Sequence, residues 1–259
     1  MQVSPLIIGH RGASAFAPEN TLAAFQMAID TRADGLEFDV QLAADGVPVV
    51  IHDPSLRRTA SRRELVSGLT SSHLASVDVG SWFNLKFPHL ASADYPQQFI
   101  STLANVLDKF KNFAGLLYVE MKPNKNDDLE LAEAVCGIIR DSGLLPQIIV
   151  KSFDLAAIRE ARRLLPAVQT AALFSPKIVD LVRPRQHIIT RAQEVGADQI
   201  SVHHSLVNET LKRLAADANL PLTTWTVNDP LWLKRHADGI NAVITNDPER
   251  LLAAREHLR

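Results

Sequence analysis

The 259-residue chain holds one cysteine, Cys136, so an intrachain disulfide is excluded. Its place inside a helical pattern, Leu129 to Ile139, marks it as a buried structural thiol rather than a nucleophile. An excess of either charge is missing as well: 27 Lys and Arg face 29 Asp and Glu, a formal net charge of −2. Nothing global favours nucleic acid or an acidic membrane, so affinity for an anion has to come from a local cluster. No apolar run is long enough to span a bilayer, and Met1 to Ile8 lacks the basic start and the apolar length of a signal peptide. The expectation is a cytoplasmic protein without a nucleic-acid partner or stable membrane association; oligomeric state is left open. The Gly-x-Gly-x-x-Gly dinucleotide fingerprint is absent, no Cys/His cluster has structural zinc spacing, and heptads, repeats and low-complexity segments are not evident.

What is there is an alternation. At 46% hydrophobic and 22% charged residues, the chain has ample material for a sizeable core under an ordinary polar surface. Leu6-Ile7-Ile8 reads as a strand, and Thr21 to Arg32 as a helix capped by Thr21 with Leu22, Phe25, Ala28 and Ile29 on its apolar face. The strand Leu36 to Leu42, an Asp45-Gly46 turn and the extended run Val47 to Ile51 follow. Further strands are expected at 116–119, 148–150, 168–173, 199–202, 222–225 and 242–244. Helices follow most of them, at 128–141, 154–165, 187–195, 207–218, 230–237 and 248–257. Eight βα units with nearly all-apolar strands predict a closed (β/α)₈ TIM barrel over 1–259, a single domain. Residues 53–100, rich in Ser, Pro, Arg and Gly, interrupt the rhythm and read as a cap-like insertion over the barrel mouth.

The polar residues fall where barrel enzymes keep their chemistry, at the C-terminal ends of strands. Glu37 and Asp39 are two apart on one strand and project from the same face, with Phe38 and Val40 turned outward. Two carboxylates in a barrel repel and are costly to desolvate, so they call for a cation. Glu120 and Lys122 repeat the spacing on the next barrel strand. Glu120 completes a three-oxygen site for one divalent cation, Mg²⁺ or Ca²⁺, with Mn²⁺ as a third candidate. Lys122 either neutralises Glu120 or meets a phosphate. His10 and His52 each end an apolar run beside the acids, where an imidazole can trade protons with an alcohol. Arg11 offers a planar fork for phosphate oxygens. Asn20 either starts the helix or braces a catalytic group, and Trp225 either stacks on substrate or belongs to the core. His203-His204 bond locally, and Arg250, Arg255 and Arg259 form a solvated face.

With these residues placed, the chain resembles the glycerophosphodiester phosphodiesterase family. The matching segments are Gly9-His10-Arg11-Gly12, Pro18-Glu19-Asn20-Thr21, Gly35-Leu36-Glu37-Phe38-Asp39-Val40 and Asp45-Gly46 through His52-Asp53. Further matches are Val77-Asp78-Val79-Gly80-Ser81-Trp82-Phe83, Val119-Glu120-Met121-Lys122, Trp225-Thr226-Val227-Asn228 and Ile244-Thr245-Asn246-Asp247-Pro248. Each is weak alone; the ordered set over 9–248 is specific. The resemblance implies a (β/α)₈ barrel with an insertion after His52-Asp53 and a metal on Glu37, Asp39 and Glu120. It also implies His10 and His52 as acid–base pair, and Arg11 and Lys122 on the phosphate. The implied reaction is hydrolysis of a small-molecule glycerophosphodiester to sn-glycerol 3-phosphate and an alcohol. After Arg58-Thr59 the chain departs from the family pattern and reads Ala60-Ser61-Arg62-Arg63-Glu64. The rivals are a related barrel phospholipase acting on lysolipids or intact lipids, and a non-catalytic barrel that binds phosphate compounds.

Overall fold

The computed structural model describes residues 4–124, 128–176 and 185–256. Among the described residues nine strands form one sheet: β1 (Leu6–His10), β2 (Gly35–Leu42), β3 (Pro48–Val50), β4 (Leu116–Met121), β5 (Ile148–Ser152), β6 (Gln169–Phe174), β7 (Gln199–His203), β8 (Leu222–Trp225) and β9 (Ala242–Thr245). β1 pairs with both β2 and β9, which closes the sheet on itself. β3 is antiparallel and outside the ring, so the nine strands leave eight parallel staves, a (β/α)₈ barrel.

Helices cover the ring, beginning with α1 (Leu22–Asp30) after β1. Thr21 caps α1 as expected, its side chain accepting from the Ala24 amide. No helix is expected from the sequence directly after the second stave. The structure supplies one late, after 53–100: α5 (Leu103–Lys109), capped by Thr102, buries Leu103, Val106 and Leu107. Leu103, Val106 and Leu107 carry the i, i+3, i+4 apolar spacing of a helix. Past β4 come α6 (Asp128–Ser142), α7 (Leu155–Leu164), α8 (Gln186–Glu194), α9 (Glu209–Asp217), α10 (Pro230–His236) and α11 (Pro248–Glu256). None of the described helices is long and apolar enough to cross a membrane.

Strand alternation sorts the side chains into two cores. Outward residues such as Ile7, Phe38, Val119, Val150 and Ile200 join Phe25, Val135, Ile158 and Leu251 of the helices in one continuous cluster. Burial of such a side chain stabilises by roughly 1.5–3 kcal/mol. Inward residues Ile8, Tyr118, Ile149, Ala171, Ala242 and Ile244 fill the barrel beneath the site. Cys136 is buried in the outer cluster, as its helical setting implied. One expectation is corrected. Arg255 is not on a solvated face: it pairs with Asp34 and donates to Pro5 O, because the segments just before β2 and β1 leave a carboxylate and a carbonyl under α11. Arg259 lies outside the described residues.

Residues 53–100 hold α2 (Arg57–Ala60), α3 (Ser71–Leu74), α4 (Ser81–Lys86) and short 3₁₀ turns. They share two small cores with the barrel. Leu56, Val66, Leu74 and Val79 pack on Val49 and Ile51, while Phe83 and Tyr95 pack on Ala17 and Ala24. Tyr95 also donates its hydroxyl to Phe16 O at 2.9 Å. Gly80 is dictated by contact, since a Cβ there would sit 1.8 Å from Tyr95 O.

Candidate active site

Register assembles the site. Across the ring His10 lies beside Glu37, Asp39 beside Glu120, and Glu120 beside Lys151, so these side chains emerge from neighbouring staves at the same end. Glu37, Asp39 and Glu120 are 0%, 1% and 5% exposed. Each offers one oxygen within 4.8 Å of the others. Metal–oxygen bonds of about 2.0–2.6 Å let ligand oxygens stand up to about 5 Å apart, so this all-carboxylate donor set fits a hard divalent cation.

The chain supplies counter-charges of its own, which tempers the expectation that the acids must have an external cation. Lys151 Nζ, on a residue 1% exposed, stands 2.7 Å from Glu37 Oε1 and 3.2 Å from Glu120 Oε2. Lys122 Nζ stands 2.5 Å from Glu120 Oε1 and 3.3 Å from Asp39 Oδ1. Arg11 Nε stands 3.1 Å from Asp39 Oδ2. Burial pushes the Asp39 carboxyl up, but Arg11, Lys122 and His52 more than reverse this and hold it well below the ordinary range. Glu120 follows the same pattern, with Lys151 as the main opposing charge. Burial lowers Lys122, yet Asp39 and Glu120 bring it up to about 12.

The β1–α1 loop is bent to serve these groups. Arg11 and Asn20 both adopt left-handed backbone, φ 54° and 57°, and Asn20 N donates to Arg11 O at 3.1 Å. In this conformation Arg11 N donates to Glu37 Oε2 at 3.1 Å, and Asn20 Nδ2 to Asp39 Oδ2 at 2.8 Å. Asn20 thus braces a carboxylate, which decides between its two readings. Gly12, at φ 83°, lets the loop lie against α1, where a Cβ would come within 2.4 Å of the Ala24 backbone.

Both histidines are oriented through Nδ1. His10 Nδ1 is 2.6 Å from Asn246 Oδ1; an amide oxygen only accepts, so the proton sits on Nδ1. Its Nε2 then faces Glu37 Oε2, 3.9 Å away. Burial lowers the His10 pKa, more than Glu37 raises it. His52 donates from Nδ1 to Asp53 Oδ1 at 2.6 Å. Asp53 Oδ2 accepts from Arg58 Nε at 2.6 Å, and the Arg58 fork holds Glu19 at 2.6 and 2.8 Å. Glu19 in turn accepts from Arg11 at 2.7 Å.

His52 and Lys122 line a cavity of about 430 Å³ with Gln41, Pro54 and Phe153. Trp225 is half-buried at the mouth, edge-on to Phe153 at 5.5 Å and to His203 at 5.2 Å, with its base against the inner core. His203 bonds locally to Ser205, as anticipated. A larger cavity, about 920 Å³, lies between α7 and α8 and includes none of the acid cluster.

Sequence reasoning puts Lys151 at the C-terminal end of its strand but gives it no role, and gives none to Asn246, Arg58 or Asp53. Lys151 shares the inward face with Ile149, so alternation alone pointed to it. Asn246 is 236 residues from His10, and no local pattern announces that pair.

Residues 10–250 match the model of the glycerophosphoryl diester phosphodiesterase family. The chain is 30% identical over 254 residues to a glycerophosphodiester phosphodiesterase of Bacillus subtilis strain 168, covering 94% of this chain and 84% of that one. It is 29% identical over 248 residues to the enzyme of that name from Caldanaerobacter subterraneus subsp. tengcongensis, covering 95% and 96%. It superposes with a TM-score of 0.82 and 26% identity on an Oleispira antarctica phosphodiesterase solved with its product sn-glycerol-3-phosphate, over 98% of this chain and 97% of that one. Barrel, carboxylate trio and flanking histidines stand in a chain matched over nearly its whole length, and the protein belongs to the glycerophosphoryl diester phosphodiesterase family.

Proposed function

We propose that the protein hydrolyses glycerophosphodiesters to sn-glycerol 3-phosphate and an alcohol, with His10 and His52 as the acid–base pair. The observation that carries this is a buried trio of carboxylates flanked by two histidines whose Nδ1 protons are both committed elsewhere. Glu37, Asp39 and Glu120 would hold one divalent cation, Mg²⁺ or Ca²⁺ with Mn²⁺ third. When bound, it polarises the phosphoryl oxygens.

Burial favours neutral His10, which suits it to take a proton from the attacking hydroxyl, of water or of the glycerol moiety. The new P–O bond forms as the bond to the leaving alcohol breaks, and His52 gives that oxygen its proton; where the glycerol hydroxyl attacks, water then opens the cyclic phosphate to give sn-glycerol 3-phosphate. Arg11 and Lys122 stabilise the charge on the phosphoryl oxygens in flight. The alcohol extends into the cavity shared by His52, Lys122 and Phe153, and Trp225 flanks the carbon backbone of the substrate. Residues 53–100 cap the mouth, within a single catalytic domain spanning 1–259. The lysolipid rival calls for one apolar face on that cap; its exposed large apolar residues are Leu65 and Phe99, each in an isolated bridge, and Leu85 on α4.

The test assays glycerophosphocholine turnover, with glycerol 3-phosphate as readout, for the wild type, His10→Ala and His52→Ala. Each is run with Mg²⁺, Ca²⁺, Mn²⁺ or chelator. Each histidine variant is expected to lose about 10²-fold or more. Wild-type rates in either variant, or full activity in chelator, would sink the scheme.

A further inference from the structure

Arg58 belongs to the short helix α2 in 53–100, away from the barrel staves, and neither metal binding nor proton transfer requires it. Its guanidinium nonetheless uses all three nitrogens. Nε meets Asp53 at 2.6 Å, and the two terminal nitrogens meet both oxygens of Glu19 at 2.6 and 2.8 Å. Those two carboxylates lie on different segments, and each holds a second group that the proposed chemistry uses. Asp53 orients His52, and Glu19 holds Arg11 at 2.7 Å while Arg11 reaches Asp39 at 3.1 Å. Charge alternates along the path from Asp53 through Arg58, Glu19 and Arg11 to Asp39, and Arg58 is the link between its His52 end and its Arg11 end.

We propose that Arg58 is a positioning residue that sets His52 and Arg11 relative to each other across the mouth, so that the leaving-group proton and the phosphate grip arrive in one geometry. This rests on the phosphodiesterase reading above. The guanidinium is held from behind by the chain itself. Leu56 and Thr59, which flank Arg57-Arg58 in sequence, are buried and anchor the segment that carries it, and the Trp82 ring centroid lies 5.9 Å from its central carbon. A planar fork satisfies one carboxylate with two parallel donors and still offers Nε to another. An ammonium, a point charge on a flexible stem, cannot hold both at fixed angles. Misplacement of a catalytic group by about 1 Å costs on the order of 10²-fold in rate. Losing Arg58 frees two such groups at once.

Arg58 is 41% exposed in its side chain, so its truncation leaves the cores intact. Arg58→Ala and Arg58→Lys are compared with wild type and His52→Ala on two substrates. One releases choline, whose alkoxide needs a proton, and the other is an aryl glycerophosphodiester that releases a stable phenolate. Arg58→Ala is expected to lower kcat on both substrates as Arg11 loosens, and by a further factor of roughly 10 or more on the choline substrate, where the proton from His52 is needed, as His52→Ala does more severely. KM should rise for both substrates as Arg11 loosens, and Arg58→Lys should not restore the choline kcat. Equal losses of kcat on both substrates, or full rescue by Arg58→Lys, would overturn the positioning role. A wild-type protein that turns over neither substrate overturns the phosphodiesterase reading, and this inference with it.

Discussion

Lys151 carries an ammonium into the most buried part of the site, between Glu37 and Glu120. Three carboxylates with Lys151 and a divalent cation sum to zero charge, which leaves Arg11 and Lys122 for an anionic substrate. The same arithmetic makes the lysine a competitor of the metal. Lys151→Met should destabilise the metal-free protein by about 3–5 kcal/mol, the usual cost of removing one partner from a buried ion pair. It should also tighten Mn²⁺ binding at least about tenfold, because the metal then meets carboxylates with one counter-charge fewer. Equilibrium binding and denaturant unfolding in chelator measure the two effects. Weaker Mn²⁺ binding would instead make Lys151 a brace for the ligands. At His10 the prediction concerns pH: a base whose pKa burial lowers must be neutral above about pH 6.5. The acid limb of kcat/KM should therefore fall below that value, and a limb above pH 7 in the profile would contradict the assignment. These residues differ in legibility. Glu37, Asp39 and Glu120 announce themselves by two-residue spacing on apolar strands, whereas Asn246 acquires its role only when the last stave closes on the first.

Among elements, the barrel floor shows how one side chain fastens adjacent staves. Asp198, just before β7, accepts from the Thr170 amide at 2.8 Å, the Thr170 hydroxyl at 3.0 Å and Arg162 of α7 at 2.9 Å. Asp198→Ala would strip three donors of their partner at a half-buried seam, and a loss of about 1–3 kcal/mol in urea unfolding is expected. Activity should be unchanged, since the floor lies at the opposite end of the staves from the carboxylate trio. Strand existence was readable because parallel staves are buried on both faces and therefore spell continuous apolar runs. α5 was not, because it is short and separated from its stave by the whole of 53–100. The Arg255 contact was hidden for a different reason: a helix pattern shows which positions are polar but not which of them meets a carboxylate under the barrel.

For the molecule as a whole, the site should leave its mark on stability against pH. Asp39, Glu120, Glu19 and Asp53 all have depressed pKa values, so their contribution is complete above the ordinary carboxylate pKa of about 4 and is lost as pH falls through the depressed values. Lys122 and Lys151 are raised, so theirs is complete below about pH 10.4 and is lost as pH climbs, for Lys122 through about 12. The thermal midpoint of chelated protein should hold a plateau between roughly pH 7 and 10 and drop on both sides, with His10 and His203, whose pKa values burial lowers, opening the acid-side loss from about pH 6.5. With His10 and His203 replaced, a fall already under way near pH 6 would show that these carboxylates are not held ionised by their partners. Adding metal at about 100 times its dissociation constant should stabilise by about 2.7 kcal/mol. The buried carboxylate trio, the two histidines at strand ends and the eightfold βα rhythm were determined by the sequence alone, since periodicity fixes which face a side chain occupies. Only the tertiary structure decided who neutralises the acids, which atom of each histidine is free, and that an arginine from 53–100 links them. Those are contacts between segments up to 236 residues apart, set by ring closure and register rather than by any local pattern.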